Sequence, residues 1–294
     1  MLTKTEAIEF LQSEWKIKDV EQQLQNDREK FLNQLIVTVY ERVPFHVFFA
    51  HMPQEWKVTG FADIEKWCMS GTGGHCGIIN TFMWRLLTAL GFNAYLCLTI
   101  VTKSTLLNPH LIVIVKDLVK TGDIHLVDCG LGQPSFRAIS LNFNKESPVY
   151  RDSILEYKYI KEDGMIFRMH GKGDLATHRN LPKPYDYYQG KWRRYYLFCL
   201  ERFPCKSFDD VRGYIDVRSG GYLFSPRAAW FPGGKAVMIL NDMLRIEQED
   251  GSLKETRLTS YEEILKAYQE YFPTISKDII NQSYSMWQKI KSKI

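Results

Sequence analysis

At 294 residues, with 45% apolar and 14% aromatic side chains, the chain has ample material for one large domain or two to three small ones around buried cores. A net charge of only +4, with charges of both signs interspersed, argues against a nucleic-acid-binding stripe or an acidic tail and leaves a mildly basic surface that favours an anionic small ligand. The opening MLTKTEAIEFLQSEW is too polar for a secretory signal, and the longest aliphatic run, Leu111 to Val115, is far too short to cross a bilayer, so the expected location is the cytoplasm with no membrane partner.

Residues 1–85 read as helical. TEAIEFLQSEW, DVEQQLQNDREKFLNQLIVTVYERV and NTFMWRLLTAL carry apolar positions at i, i+3 and i+4 spacing, and Pro44 and Pro53 interrupt the run. From about residue 92 the period changes to two. AYLCLTIVT, HLIVIVKDL, IHLVDCG, AISLNF, ILEYKYIK and MIFRMHG are short, β-branched or aromatic segments parted by turn residues, which predicts an antiparallel sheet or barrel. A polar, proline-bearing stretch, THRNLPKPYDYYQGKW, leads into the strand RRYYLFCL. From 196 to 294 the pattern is mixed: a helix near SFDDVRGYID, strands in KAVMILNDMLRIEQ, a hairpin turn at Asp250-Gly251-Ser252 and a helix in SYEEILKAYQEYF. No repeat or long linker separates the three parts, and the fold class that follows is α+β.

Cysteines occur at 68, 76, 97, 129, 199 and 205 without CxxC pairs, which in a reducing compartment predicts free thiols and no metal. Phosphate loops, HExxH and GxSxG are missing, and GKGD at 171–174 reads as a turn. One cysteine stands apart. In Gly71-Thr72-Gly73-Gly74-His75-Cys76-Gly77 the glycines permit tight turns, and the helical period begins at about residue 76. A cysteine at a helix start meets unpaired amide donors and a partial positive charge, which favour the thiolate. The blander reading is a small buried hydrophobe.

Two residues could activate such a thiol. His110 opens the apolar strand HLIVIV after a proline-containing turn, and Asp128 closes the next strand, HLVDCG, before a glycine turn. If those strands are antiparallel neighbours, the carboxylate can orient the imidazole and stabilise its charged form, giving a Cys-His-Asp nucleophile. His75 is adjacent to Cys76 in sequence, but successive helical residues point in different directions, so His110 is the better candidate. His125 lies three residues from Asp128, on the opposite face of its strand, and reads as structural.

These residues resemble the arylamine N-acetyltransferase family, which carries an RGGxCxxxN nucleophile motif, a histidine opening an apolar strand and a VDVGFG-like aspartate segment. The matches are Gly73-Gly74-His75-Cys76 with Asn80, His110-Leu111-Ile112-Val113, and Val127-Asp128-Cys129-Gly130-Leu131-Gly132, in the same order. VPFH at 43–46 is similar to the family's PFEN segment, and WRRYYLFCLERFPCKSFDDV is similar to the start of its third domain. The resemblance implies a cysteine-protease-like fold: an N-terminal helical bundle carrying the nucleophile (1–85), a central antiparallel β-barrel or sheet carrying the histidine and aspartate (86–195), and a C-terminal α/β lid (196–294). It implies a transferase that moves an acetyl or other short acyl group from acetyl-CoA or another acyl-CoA to an aromatic amine, hydrazine or hydroxylamine. The route is an acyl-cysteine on Cys76, with His110 as base and Asp128 as its orienter. The implied role is xenobiotic metabolism, with coenzyme A and small aromatic amines or hydrazines as the binding partners.

Three positions depart from the pattern. Thr72 stands where the family has arginine, Ile78 where it commonly has glutamate or glutamine, and Gly77 where a bulky residue follows the cysteine. The expectation is that a buried polar link between nucleophile loop and helical part is absent, and that Gly77 lies beside the acyl site or contributes an oxyanion donor. The family's third-domain pattern survives only loosely in DVRSGGYLFSPR. The same triad would also serve an amide-bond hydrolase or a cross-linking enzyme, and the departures leave room for a member that binds ligand without turnover.

Overall fold

In the computed structural model the residues described are 2–52, 57–101, 108–175, 188–215 and 225–291. Pro53, the turn just ahead of His110's strand, most of the proline-bearing stretch (176–187) and the loose third-domain pattern at 216–224 lie outside them.

The N-terminal helices follow their local signals. Thr3 caps α1 (Lys4–Ser13) by accepting from the Glu6 amide at 3.3 Å, while the Glu6 carboxylate accepts from the Thr3 amide at 2.7 Å. The long periodic stretch at 19–43 is two helices, α2 (Val20–Asn26) and α3 (Arg28–Arg42), because Asp27 turns extended and caps the second by accepting from Lys30 N–H at 2.9 Å. Val43, ahead of Pro44, is extended and ends α3. The chain then forms β1 (Phe45–His46), α4 (Phe61–Met69) and α5 (Cys76–Ala89). Helix α4 is a finding beyond the sequence reading, its pattern being short and flanked by glycines.

Helix α5 is buried on nearly every side, from Ile78 and Ile79 through Phe82, Met83, Leu86 and Leu87, as its almost continuous apolar sequence requires. Its cover is a curled antiparallel sheet in the order β5-β4-β3-β2-β10-β8-β7-β6. These strands are β2 (Asn93–Val101), β3 (Asn108–Lys116), β4 (Ile124–Val127), β5 (Ile139–Ser140), β6 (Tyr150–Asp152), β7 (Leu155–Glu162), β8 (Met165–His170) and β10 (Trp192–Phe198); the short β9 (Tyr188–Gln189) also pairs with β10. Of the segment AISLNF, only Ile139 and Ser140 are strand.

Beyond α6 (Phe208–Ile215) a second antiparallel sheet runs β1-β11-β12-β13-β14, with β11 (Arg227–Trp230), β12 (Val237–Leu240), β13 (Met243–Glu247) and β14 (Leu253–Arg257). Strand β1 from the helical part is its edge, pairing Phe45 with Ala229. Helices α7 (Tyr261–Tyr271) and α8 (Lys277–Lys291) pack aromatic side chains against it. Among the described residues no helix is long and apolar enough to cross a membrane.

Candidate active site

Cys76 is the first residue of α5, and His75 is its cap. The His75 Nδ1 accepts from Gly77 N–H at 3.2 Å, and its Nε2 donates to the Ile215 carbonyl at the end of α6 at 2.9 Å. The loop ahead is bound to the strand β1 region. Gly74 N–H donates to the Pro44 carbonyl, and His46 N–H donates to the Gly74 carbonyl at 2.9 Å. Gly73, at φ +80°, passes so close that a Cβ would lie 2.0 Å from the Pro44 oxygen, so no larger residue fits.

The polar link expected to be lost with Thr72 and Ile78 is made in another way. The buried His46 ring donates from Nε2 to the Thr72 carbonyl at 3.0 Å and accepts at Nδ1 from Phe48 N–H at 3.3 Å. Burial lowers the His46 pKa to about 3, so it makes both bonds as a neutral ring. The Thr72 side chain is half-buried beside Ser70, while Ile78 is fully buried in the apolar core with its side chain against Gly74.

Strands β3 and β4 are antiparallel neighbours, with Val113 opposite Val127. This register brings His110 to Asp128, which directly follows β4. His110 Nε2 donates to the carboxylate at 3.0 and 2.9 Å, leaving Nδ1 as the nitrogen available to a thiol. Asn80, one turn into α5 from Cys76, donates from Nδ2 to Asp128 Oδ1 at 2.8 Å and to the Leu111 carbonyl at 2.6 Å. Its Oδ1 accepts from the amides of Cys129 and Gly130, both at 3.0 Å. A single side chain therefore ties α5 to strand β3 and to the segment that follows β4. At Gly130 a Cβ would lie 2.8 Å from the Cys76 Cα, which is why the residue two after the aspartate is glycine.

The three groups are almost sealed: Cys76 is 5% exposed, His110 3% and Asp128 1%. Burial opposes ionisation of Cys76, but the His110 charge and hydrogen bond, with His75 adding, outweigh it and bring the thiol down to about 6. Burial likewise opposes the His110 cation, yet Asp128 and Cys76 together hold its pKa up to about 10. Asp128 stays below the usual carboxylate range despite burial, because of the His110 charge and bond, the Arg168 charge and the Asn80 bond. Thiol, imidazole and anchored carboxylate thus lie together with the thiol's pKa drawn down and the imidazole's held up, the arrangement a nucleophilic thiol requires.

The remaining sequence candidates fall elsewhere. Gly77 packs under α6, where a Cβ would meet the Tyr214 carbonyl at 2.4 Å; its amide is the one bonded to His75. The confinement accounts for glycine where a bulky residue was expected. His125 is buried on β4, 3.8 Å from Asp123. Cys68, Cys97 and Cys129 are buried thiols and Cys199 and Cys205 half-buried ones, all unpaired. No group of three or more metal-ligating side chains occurs among the described residues. Two residues carry no signal in the sequence reading and prove to hold the aspartate loop. Tyr40 of α3 donates to the carbonyls of Asp128 at 2.8 Å and Gln133 at 3.0 Å, and Arg168 of β8 donates to that of Pro134 at 3.0 Å.

The N-acetyltransferase family profile matches residues 30–278. The chain belongs to the arylamine N-acetyltransferase family. Its fold is the family's. The *Salmonella typhimurium* arylamine N-acetyltransferase superposes with a TM-score of 0.72 at 16% identity, covering 95% of this chain and 98% of that one. The *Mycobacterium marinum* arylamine N-acetyltransferase, solved in complex with CoA, gives 0.71 at 14% identity over 95% and 97%. That of *Mycobacterium abscessus* gives 0.69 at 17% over 92% and 95%. Among curated proteins no sequence matches.

Proposed function

We propose that this arylamine N-acetyltransferase family member transfers an acetyl or other short acyl group from acyl-CoA to an aromatic amine, hydrazine or hydroxylamine through an acyl-Cys76 thioester. The observation that carries the reading is the buried line of Cys76, His110 and Asp128, with the thiol pulled below its ordinary range by the imidazole beside it. CoA as the carrier draws support from the CoA complex of the *Mycobacterium marinum* enzyme.

In the first half-reaction the Cys76 thiolate attacks the thioester carbonyl, the Cys76 Sγ–acyl bond forms and the bond to the CoA sulfur breaks. The His110 proton goes to the departing sulfur. In the second, the amine attacks the acyl-cysteine, its proton passes to His110 and the thiolate is restored. Asp128, held by Asn80, keeps the His110 ring oriented through both steps. Backbone amides at the start of α5 are the candidates for holding the oxyanion, and Gly77 can serve only if its bond to His75 opens. Because the cysteine carries the acyl group between steps, donor and acceptor need never be bound together.

Intact-mass spectrometry after mixing with acetyl-CoA alone should show one added acetyl group, with free CoA released and no addition to Cys76→Ser. Varying the amine should give parallel double-reciprocal lines. Failure of every acyl-CoA tried to acylate Cys76 would defeat the transferase reading, and peptide turnover without CoA would put an amide hydrolase in its place.

A further inference from the structure

The three-residue mechanism leaves a fourth buried charge without a task. Arg168, at the centre of β8, is 0% exposed. Its Nε donates to His170 Nε2 at 2.9 Å, its Nη1 to the Tyr159 hydroxyl at 3.2 Å and its Nη2 to the Pro134 carbonyl at 3.0 Å. The guanidinium carbon lies 4.4 Å from the centre of the Tyr157 ring and 5.9 Å from those of Tyr159 and Tyr196. All these partners are neutral: burial pushes the three phenols up and brings His170 down to about 3. Among the described residues no carboxylate hydrogen-bonds to this arginine. A sealed cation with only neutral partners is costly, so a fold that keeps one must gain from its field at longer range.

That field falls on the triad. Two carboxylates lie one residue beyond its partners, Asp174 beside His170 and Asp152 at the Tyr157 hydroxyl, and the third in its field is Asp128, which it helps to hold ionised. Two structural routes connect Asp128 to Arg168. Pro134 belongs to the loop that follows Asp128, and the Tyr159 hydroxyl meets that of Tyr196 at 3.4 Å, whose ring lies 5.6 Å from the His110 ring. In the reactive state Cys76 and Asp128 each carry one negative charge and His110 one positive charge, so the sealed site is left with one net negative charge. We propose that Arg168 is a positioning residue of this triad: a fixed, caged counter-charge that balances the thiolate-imidazolium-carboxylate state and pins the loop carrying Asp128.

This rests on Cys76, His110 and Asp128 acting together, as in the function proposed above. The other titratable groups around the thiol and around Asp128 are accounted for. His110 comes from β3 and His75 from the cap of α5; Asp128 and Cys129 follow β4, and Tyr40 comes from α3. Burial keeps Cys129 and Tyr40 protonated near neutral pH. On this proposal, removing the Arg168 charge leaves the Asp128 and Cys76 anions balanced by His110 alone, which disfavours the second anion and raises the thiol pKa.

The test reads the thiolate directly, on free enzyme with no acyl donor: the rate of Cys76 alkylation by iodoacetamide from pH 4 to 10. Arg168→Met should raise the midpoint by about one pH unit or more, slowing alkylation at the parent's midpoint by about tenfold. Arg168→Gln, neutral but able to keep a donor bond, should shift it equally. Arg168→Lys should return it to within about half a unit of the parent. Tyr159→Phe, which loosens the same cage and keeps the cation, should leave it in place. A folded Met or Gln variant with the parent's midpoint overturns the proposal, as does a Lys or Tyr159→Phe variant shifted as far as the neutral ones. Should no acyl-CoA acylate the protein while the alkylation midpoints move as stated, the transferase reading falls and the role of Arg168 stands.

Discussion

Around α5 the interior buries imidazoles, a carboxylate, an amide and a guanidinium, every one on named partners; between the second sheet and helices α7 and α8 it buries mainly rings. There Tyr268 packs edge-on against Phe48 at 5.2 Å between ring centres and lies 5.5 Å from Phe272 and 5.8 Å from Tyr284. His51 and Ser283 meet in the same region at 3.0 Å. The difference is one of purpose in the physical sense. Burying apolar rings is favourable by itself, whereas burying His110, Asp128 and Arg168 is not and persists only because each is satisfied. The first region therefore adds a set of paired buried polar and charged groups to a large apolar core, whereas the second is packed almost wholly from apolar and aromatic side chains.

If that contrast is sound, changes in the two regions should separate activity from stability. The largest effect is expected from Asp128→Asn, which keeps the shape of the carboxylate but removes the charge that orients and charges His110. Acyl transfer should fall about 10²–10⁴-fold, with thermal unfolding showing a folded protein. Near-normal turnover would remove Asp128 from the chemistry. Next comes Phe272→Ala in the second core, expected to cost about 3–5 kcal/mol of stability while the folded fraction transfers at the parent's rate. A urea titration paired with activity of the folded fraction decides it, and slower transfer at unchanged stability would erase the distinction between the cores.

The chemistry of the thiols sharpens the comparison further. A thiol whose pKa is depressed in the folded state is present as thiolate above that value and loses the charge as pH falls through it, so alkylation of Cys76 should decline below about pH 6. Burial pushes Cys97 up to about 12, Cys205 up to about 11, and Cys68 and Cys129 up as well. At neutral pH, limiting iodoacetamide should label Cys76 at least about tenfold faster than these four, read by peptide mapping. Preferential labelling of another cysteine with activity retained would sink the assignment. The smallest effect belongs to Ser283→Ala, which breaks the hydrogen bond to His51. It should cost about 0.5–1.5 kcal/mol in unfolding experiments and leave transfer unaltered.

Local signals carried much of what is now seen. Period gave α1, α3, α5, α7 and the longer strands of the first sheet, and Asp250-Gly251-Ser252 does join β13 to β14. They failed where the competing terms were local and small. Asp27 split one expected helix into two by capping the second, and the short α4 was passed over. Helix α8 was also missed, its stretch beginning just past the helical pattern recognised at Tyr261–Tyr271.

At the candidate site, the loop ahead of Cys76 could be read because glycines, cysteine and helix start are contiguous, and the His110–Asp128 approach because consecutive strands usually pair. Arg168 and Tyr40 could not be read. Each reaches the aspartate loop from an element remote in sequence, and an arginine in MIFRMHG or a tyrosine in α3 looks like any other until the partner carbonyls are in place. The same holds for the link from His46 to the Thr72 carbonyl. Residue type and short-range backbone preference were enough to nominate Cys76, His110 and Asp128 as candidate thiolate, base and orienter. Which charges lie near one another could not be read from residue type, because Coulomb energy and desolvation depend on distances and burial that exist once helix α5 and the curled sheet have closed around them.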